Sequence, residues 1–393
     1  MEALKREGKR WLLSLIHQGQ ALVEQKRVND VLQHYTMDAI QNTAPQKKKS
    51  ILFLITRMVR FHGGQTSILR LGTQLAGLGF QVGYAVYKPQ SKKEMEVCAR
   101  SNLPGFRGLL FTAEELERMM SGKKKSADII VASSWDTVSF AKRLPGYRMY
   151  FVQDYEPYFY SFGELFLLAK KTYEQGLHMV SLGAWNKKII ERECRPVSPI
   201  DVISFPCEAK EYEFRRKDFA AYAGRREFTV AVYLKFYGKR LPCVIPYMLE
   251  RAAERLRREG IVLKVCYFGE AGSFRAPGGE NLGMLNREEL RSLYYRADFG
   301  MVASMSNISL VPYEMLAAGL PVIEFADGTF GEFFPEGSAT LVGISADELA
   351  ARLLELIREP ERMERQLETA HAYMRDLSWE NSAVQFAEIV REL

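Results

Sequence analysis

The sequence predicts an α/β protein with two domains, each built on a doubly wound, Rossmann-like parallel sheet. Its 393 residues are too many for one ordinary hydrophobic core and suffice for two. Two successive series of short apolar strands alternate with amphipathic helices, which is the pattern of doubly wound sheets. A charged segment at residues 206–227 separates the two series. We therefore expect two domains that face each other across a cleft.

The first series begins with residues 51–55, a continuous apolar run typical of a strand buried on both faces. A loop that contains Gly63 and Gly64 follows, and apolar residues at helical spacing then predict a helix from Ile68 that ends near Gly79. Further strands of this domain are predicted at residues 81–87, 128–132, 148–152, 178–182 and 201–205.

The second series repeats this alternation after the charged segment. Its predicted strands are residues 229–233, 262–268, 299–303 and 321–325, and its predicted helices are residues 246–258, 288–297, 314–318 and 346–355. The chain is thereby divided into an N-terminal helical arm or linker (1–49), a first domain (50–210), a second domain (211–375) and a C-terminal helix (376–393). In the arm, apolar residues recur at helical spacing: Trp11, Leu12, Leu15, Ile16, Leu22, Val23, Val28 and Leu32.

Composition is that of a folded globular protein, with 47% hydrophobic and 26% charged residues. No apolar run is long enough to span a bilayer and the N-terminus lacks a signal peptide, so we expect a cytoplasmic protein. Five cysteines without metal-ligand spacing predict free thiols. The net charge of +6 and two lysine clusters indicate either solvated loops or attraction to an anionic membrane face or phosphates. No nucleic-acid-binding motif is present, so we expect no nucleic-acid partner.

Three segments could bind an anion. Gly63 and Gly64 precede a helix whose free N–H groups would suit a diphosphate, although such a pair is just as often only a turn. Lys235, Lys239 and Arg240 follow the first strand of the second domain, where open α/β sheets bind their ligands. They would bind phosphate there, or form an ordinary basic loop.

The third segment, residues 304–323, predicts a strand, a polar turn, a helix and Gly-Leu-Pro before the next strand. Backbone amides around Ser309 and Leu310 would point toward an anion at the start of the helix. Glu314 lies one turn inside the helix, where its carboxylate would accept hydrogen bonds from sugar hydroxyls. Its alternative role is to complement the helix dipole.

A carboxylate-rich aromatic segment follows the strand at 148–152. Asp154 and Glu156 lie among four aromatic rings, which suit sugar recognition because rings stack on sugars and carboxylates accept from hydroxyls. Either carboxylate could also take the proton of an attacking hydroxyl, which makes both candidate catalytic residues. The alternative is a capping aspartate in a packed aromatic loop.

The 304–323 segment resembles the donor-binding stretch of retaining family 4 glycosyltransferases, which implies a GT-B fold and binding of a nucleotide sugar. By this resemblance Glu314 holds the nucleotide ribose, and Lys235 and Lys239 hold the donor diphosphate. Ser306 stands where many members carry an earlier glutamate that contacts the donor sugar, so the identity of the sugar stays open. By the same resemblance, Gly63 and Gly64 match the family's glycine loop, and Met284 and Leu285 match its base-binding loop. The other predicted donor-binding positions are Arg240, Ser306, Asn307, Ser309 and Leu310.

The likeness extends over residues 50–390. The run Gln153-Asp154-Tyr155-Glu156-Pro157 resembles that of WsaF-like rhamnosyltransferases, which implies dTDP-β-L-rhamnose as donor and a rhamnose-containing glycan, free or lipid-linked, as acceptor. The first domain would then bind the acceptor and the second the donor, with the C-terminal helix crossing back to the first domain. Contact with the membrane or with other glycan-assembly enzymes is a further expectation.

The sequence contains no Asp-x-Asp, the motif with which many glycosyltransferases bind a metal on the diphosphate. We therefore expect transfer without a metal or other cofactor, with Lys239 stabilising the leaving group and, by family resemblance, retention of configuration. The main alternative is a non-catalytic nucleotide- or glycan-binding protein of the same fold. A GT-B epimerase or phosphorylase is a second alternative.

Overall fold

The first domain is built on a parallel sheet whose strand order confirms the predicted doubly wound architecture. The computed structural model describes residues 19, 22–236, 238–270 and 277–393. Within these residues the sheet has seven strands in the order β3-β2-β1-β4-β5-β6-β7, and every pairing is parallel. The strands are β1 (Ser50–Ile55), β2 (Gln81–Val86), β3 (Leu109–Phe111), β4 (Ile129–Ala132), β5 (Tyr147–Val152), β6 (His178–Leu182) and β7 (Ile200–Ile203).

The helices of this domain cover both faces of the sheet. They are α2 (Gly63–Gly77), α3 (Lys92–Asn102), α4 (Ala113–Met120), α5 (Val138–Arg143), α6 (Glu164–Thr172) and α7 (Ala184–Glu193). Alternate side chains of β1 enter two different hydrophobic clusters: Phe53 faces one and Leu52 the other. A strand with helices on both sides has no polar face, which is why β1 is a continuous apolar run.

The helix after β1 begins earlier than the sequence pattern indicated. Gly63 and Gly64 form its first turn rather than a preceding loop, because the ring of His62 caps the helix by accepting a hydrogen bond from the Gln65 N–H at 3.3 Å. A side-chain cap of this kind satisfies one of the N–H groups left free at a helix start and offsets the low helix propensity of glycine.

The second domain repeats the design. Its described strands form a six-stranded parallel sheet in the order β10-β9-β8-β11-β12-β13. The strands are β8 (Glu227–Tyr233), β9 (Val262–Phe268), β10 (Glu280–Asn281), β11 (Phe299–Met301), β12 (Val322–Phe325) and β13 (Thr340–Val342). The helices are α8 (Val244–Arg258), α9 (Arg287–Arg296), α10 (Leu310–Ala317), α11 (Ala346–Arg358) and α12 (Glu361–Met374), and the C-terminal helix α13 (Trp379–Glu392) follows them.

Strand order reverses direction between β1 and β4 in the first sheet and between β8 and β11 in the second. Open parallel sheets bind ligands beyond the carboxyl ends of strands at such switch points. The loops that follow β1, β8 and β11 carry the three segments for which the sequence predicted anion binding.

The two domains are joined by an aromatic seam and by the last helix. Phe205 stacks on Tyr313 with 5.1 Å between ring centroids, and Phe333 packs edge-on against Phe205 at 5.6 Å. Helix α13 packs on the first domain, where Ser382 Oγ donates to the Ser204 carbonyl at 2.9 Å. The connection at 206–227 is not a free linker, since it buries Tyr212, Phe219 and Tyr222.

The described part of the N-terminal arm packs on the first domain. Residues 22–32 form a helix, α1, whose Val28 is buried in a small cluster with Trp135, Leu165 and Ala169. The predicted helical positions Trp11 to Ile16 lie outside the described residues. No helix in the described part of the chain is long and apolar enough to cross a membrane.

Candidate active site

An aspartate of the first domain and a lysine of the second meet between the domains. Asp154 follows β5, and Lys239 lies in a single 3-10 turn, Gly238–Arg240, just after β8. Lys239 Nζ is 2.5 Å from Asp154 Oδ2 and lies 4.4 Å from the centre of the Phe159 ring. The aspartate side chain is buried, while that of the lysine is one-fifth exposed.

The loop between β11 and α10 reaches the same carboxylate. Ser306 Oγ donates to Asp154 Oδ2 at 3.2 Å, and the backbone N–H of Asn307 donates to Asp154 Oδ1 at 3.1 Å. The Asn307 side-chain amide also donates to the carbonyl of Gln153. Ser306, which stands where the resemblance expects a glutamate, therefore binds the first domain directly.

The predicted glycine segment lies beside this cluster. A Cβ on Gly64 would be 3.6 Å from Gln153 Oε1 and 3.4 Å from the ring of His62. The pKa of His62 is lowered by burial and by the positive charge of Lys235. The start of helix α2 in the first domain and Lys235 in the second are thus electrostatic neighbours.

Glu314, which is predicted to bind the nucleotide ribose, lies partly buried among polar side chains of the second domain. Glu314, in α10, accepts a hydrogen bond from the Tyr294 hydroxyl at 3.4 Å. Burial raises the pKa of Glu314, and hydrogen bonds from Tyr212 and Tyr294 lower it. Ser309 caps α10 without a side-chain bond to the helix, and its hydroxyl makes no hydrogen bond within the described residues. Leu310 is the first residue of the helix, whose N-terminus therefore offers backbone N–H groups.

The predicted base-binding positions lie in the turn after β10. Met284 is exposed, whereas Leu285 is half-buried and packs against the core. The Gly283 carbonyl accepts from the Gly269 N–H at 2.9 Å, which ties this turn to the end of β9.

Arg240 is placed differently from the two lysines that share its segment. It is buried, and its guanidinium donates to the Ala303 carbonyl at 2.6 Å. Glu324 of β12 lies nearby and accepts from both the N–H and the hydroxyl of Ser304. Burial raises the pKa of Glu324 to about 7, and hydrogen bonds from Ser304 and the charge of Arg240 oppose that rise. The pair therefore holds the loop that presents Ser306 and Asn307.

Glu156 faces away from the cleft, although it is only two residues from Asp154. Its carboxylate accepts from the Trp135 N–H at 2.8 Å and from the Tyr150 hydroxyl at 3.1 Å, inside the first domain. Burial raises its pKa to about 8, so the proton is held at neutral pH. The structure brings Asp154 and Lys239 together and leaves Glu156 in the core beneath them.

Sequence reasoning did not find three contributors to the site. Tyr212 and Tyr294 donate hydrogen bonds to Glu314. Tyr212 lies in the connecting segment, and Tyr294 lies in an amphipathic helix whose pattern predicts only core packing. Glu324 does have a signal in the sequence, because it places a charge in the middle of an apolar strand. His178 is not part of the site, since it bonds to Asp201 and Tyr147 at the start of β6, the opposite edge of the sheet from the carboxyl ends.

Histidine, cysteine and carboxylate side chains are not grouped in threes as metal ligands anywhere in the described residues. The candidate site is therefore an arrangement of lysines, hydroxyls, amides and helix N-termini, with one carboxylate at its centre.

Comparison with known proteins identifies the fold. No family model matches the sequence, and no curated protein sequence does either. Solved structures do match: HepE from Anabaena in complex with UDP-glucose has a TM-score of 0.67 at 14% identity, covering 88% of this chain and 100% of that one. Sucrose-phosphate synthase from Thermosynechococcus elongatus has a TM-score of 0.65 at 15% identity, covering 88% and 98%.

A TarM structure extends this set. A mutant of TarM from S. aureus, solved with UDP and glycan ligands, has a TM-score of 0.66 at 8% identity and covers 87% of this chain and 99% of that one. Similarities at such low identity over nearly the whole chain establish the architecture. The protein has the GT-B fold, with two Rossmann-like domains.

Proposed function

We propose that this chain is a glycosyltransferase that moves a sugar from a nucleotide donor to a growing surface glycan. In the fuller form of the proposal the donor is dTDP-β-L-rhamnose, configuration is retained and no metal takes part. The observation that carries the proposal is the meeting of Lys239 with Asp154, flanked by Ser306 and Asn307, where carboxyl ends of strands from both sheets converge.

The cations and dipoles around this point suit a departing diphosphate. Lys239 and Lys235 supply positive charge, and the first turns of α2 and α10 present backbone N–H groups. Groups fixed in place before the reaction stabilise developing negative charge without reorganising, and one such donor is typically worth about 3 kcal/mol in the transition state. A diphosphate that binds Lys239 must compete with the Asp154 carboxylate, so donor binding would release Asp154 toward the acceptor.

The proposed transfer takes place in one step, without a covalent enzyme intermediate. An acceptor hydroxyl oxygen forms a bond to the anomeric carbon while the bond from that carbon to the diphosphate oxygen breaks, and its electron pair stays on the diphosphate. The hydroxyl attacks on the face from which the diphosphate leaves, which gives retention, and its proton passes to the departing phosphate oxygen. Before attack, Asp154 would orient the hydroxyl by accepting its hydrogen bond, and that bond breaks when the hydrogen turns toward the phosphate oxygen.

The neighbours support a nucleotide sugar as donor. HepE was solved with UDP-glucose and TarM with UDP, and WaaG is described as a glycosyltransferase involved in lipopolysaccharide biosynthesis. The choice of dTDP-β-L-rhamnose for this chain rests on the Gln153–Pro157 motif and its likeness to WsaF-like rhamnosyltransferases. The acceptor would be a rhamnose-containing glycan, free or lipid-linked, reached in the cytoplasm or at the inner face of the membrane.

The test is a donor assay on the purified full chain. dTDP-β-L-rhamnose and UDP-glucose are each incubated with and without a synthetic rhamnose tetrasaccharide, and nucleotide release and product mass are followed with and without EDTA. We expect nucleotide release from the rhamnose donor, faster with acceptor and unaffected by EDTA. Nucleotide binding without release would instead support the non-catalytic alternative, and loss of activity in EDTA would contradict the metal-free step.

A further inference from the structure

A groove runs between the N-terminal helix and the aromatic loop beside the candidate active site. It has a volume of about 700 Å³, and its walls include Val23, Glu24 and Arg27 on the α1 side and Phe159, Tyr160 and Leu165 on the domain side. This volume lies in the range typical of sites for small organic molecules, about 300–1,000 Å³.

The walls of the groove combine aromatic and charged groups. Arg27 lies over the face of Tyr160, 5.2 Å from the ring centre, and Phe159 is 45% exposed. Aromatic faces pack against the C–H faces of sugar rings, while a carboxylate such as Glu24 and a guanidinium bond to their hydroxyls. A purely lipid ligand would leave these charged groups without partners.

The groove is held by packing on both sides. Val28 anchors α1 in the cluster with Trp135, Leu165 and Ala169. On the other wall, Trp135 Nε1 donates to the Tyr160 hydroxyl at 2.9 Å, which fixes the ring over which Arg27 stacks. Both walls are therefore positioned by buried contacts rather than by surface loops alone.

The groove and the proposed reaction centre share one residue, Phe159. Phe159 lines the groove and also carries Lys239 on its ring, and Lys239 is paired with Asp154. A ligand that lies in the groove would thus reach the lysine and aspartate with its end, and its remaining length would extend along α1.

We propose that this groove binds the acceptor glycan, with the sugar at the growing end next to Asp154 and the preceding sugars between α1 and the aromatic loop. The proposal rests on the proposed function and deepens it, because it assigns the N-terminal arm to acceptor binding. It predicts that a longer acceptor gains affinity from α1, while a single sugar and the donor do not depend on it.

Two neighbouring substitutions on α1 test the proposal. Val23 lines the groove and is 70% exposed, whereas Leu22 is 66% exposed and is not part of the lining. Val23→Trp therefore fills the groove and Leu22→Trp is its matched control, and neither removes a core contact. KM for a rhamnose tetrasaccharide and for a single rhamnoside is measured with each variant, together with the rate of donor hydrolysis without acceptor.

We expect Val23→Trp to raise KM for the tetrasaccharide by about fivefold or more, as blocking a central contact does. Its KM for the rhamnoside and its donor hydrolysis should match those of Leu22→Trp. Equal KM values for the tetrasaccharide in the two variants would overturn the proposal. So would binding of the wild type to anionic phospholipid vesicles that Val23→Trp weakens while KM for the tetrasaccharide stays the same.

The test also separates this proposal from the proposed function. If the wild type neither transfers nor hydrolyses a donor, the glycosyltransferase assignment fails, and calorimetric titration of the same tetrasaccharide then addresses the groove directly. Binding weakened in Val23→Trp but not in Leu22→Trp supports the groove as a glycan site, and unchanged binding overturns it.

Discussion

Lys239 and Asp154 form an ion pair between the two domains, with 2.5 Å between Nζ and Oδ2. The aspartate has three further partners, the Ser306 hydroxyl and the backbone N–H groups of Asn307 and Tyr155, whereas the lysine lies on the Phe159 ring. Each side of the pair can therefore be removed with different consequences. Loss of the lysine removes a cation from the proposed diphosphate site, while loss of the aspartate charge removes a competitor for that cation.

Lys239→Ala should reduce kcat/KM for sugar transfer by roughly 100-fold, the usual effect of removing one preorganised donor to a leaving group. Asp154 keeps its bonds to Ser306 and Asn307, so the fold should persist. Steady-state kinetics and thermal unfolding check both statements. Lys264→Ala, which removes an exposed lysine paired with Glu227 in the same domain, is the control. Near-normal transfer by Lys239→Ala would remove this lysine from the mechanism.

Asp154→Asn should tighten the binding of dTDP by about fivefold, because a neutral side chain no longer competes with phosphate for Lys239 and such a partly exposed pair is worth about 1 kcal/mol. Transfer should nevertheless slow, since the acceptor hydroxyl loses its carboxylate. Calorimetric titration of dTDP and transfer kinetics measure the two effects. An unchanged or weaker affinity would mean that the ion pair and the nucleotide do not share the lysine.

Glu314→Ala should weaken dTDP binding by about tenfold. One hydrogen bond between the carboxylate and the ribose is worth roughly 1.5 kcal/mol, which corresponds to that ratio. Glu213→Ala, at a side chain that is 67% exposed, provides the comparison. Glu314→Gln keeps the shape of the side chain, and its affinity for dTDP should lie between those of Glu314→Ala and Glu213→Ala. Equal affinity in all three variants would exclude Glu314 from the site.

Glu156 should make the stability of the protein depend on pH. Its pKa is raised from 4.5 to about 8 by burial, so the folded state holds a proton that the unfolded chain has released. The contribution of this proton to the free energy of unfolding is fully present below pH 4.5. It is lost as the pH rises from 4.5 through about 8, with a slope of up to about 1.4 kcal/mol per pH unit. Relative to wild type, Glu156→Gln should gain stability steadily between pH 5 and about 8 in chemical denaturation.

The difference in stability between Glu156→Gln and wild type reports on Glu156 alone, because Glu314 and Glu324, whose pKa values are also raised, are present in both proteins. The amide has the same shape: its oxygen can accept from the Trp135 N–H, and its NH2 group can donate to the Tyr150 hydroxyl oxygen. A stability difference between variant and wild type that is flat with pH would show that Glu156 is ionised in the folded protein.

Gly183 should tolerate no side chain because it lies against the aromatic seam. Its φ is +83°, and a Cβ there would lie 2.4 Å from the Phe333 ring. Gly224 has a similar φ of +77° but nothing within 4 Å, so Gly224→Ala reports the backbone cost alone, about 1–2 kcal/mol. Gly183→Ala should lose a further 1–3 kcal/mol or so in chemical denaturation through overpacking. Equal losses of stability in the two variants would mean that the Phe333 ring can move aside at no cost.

The sequence predicted the site's backbone better than its side chains. The strands after which Asp154, Lys239 and Ser306 lie were identifiable because buried parallel strands are continuous apolar runs. The first turn of α2 was missed because glycines rarely begin a helix, and only the His62 cap explains it. The burial of aromatic residues in the 206–227 segment was not predicted, because its many charged residues are typical of an exposed connection.

By itself the sequence determined the order of strands and helices, the two-domain division and the positions of the lysines at strand ends, since each depends on residues close together in the chain. The tertiary structure decided which of these groups meet. Asp154 and Glu156 are two residues apart, yet a 3-10 turn at Glu156–Phe159 directs one toward the other domain and the other into the core. Contacts between Lys239 and Asp154, or between α1 and the aromatic loop, depend on packing between distant segments, and no local pattern encodes that geometry.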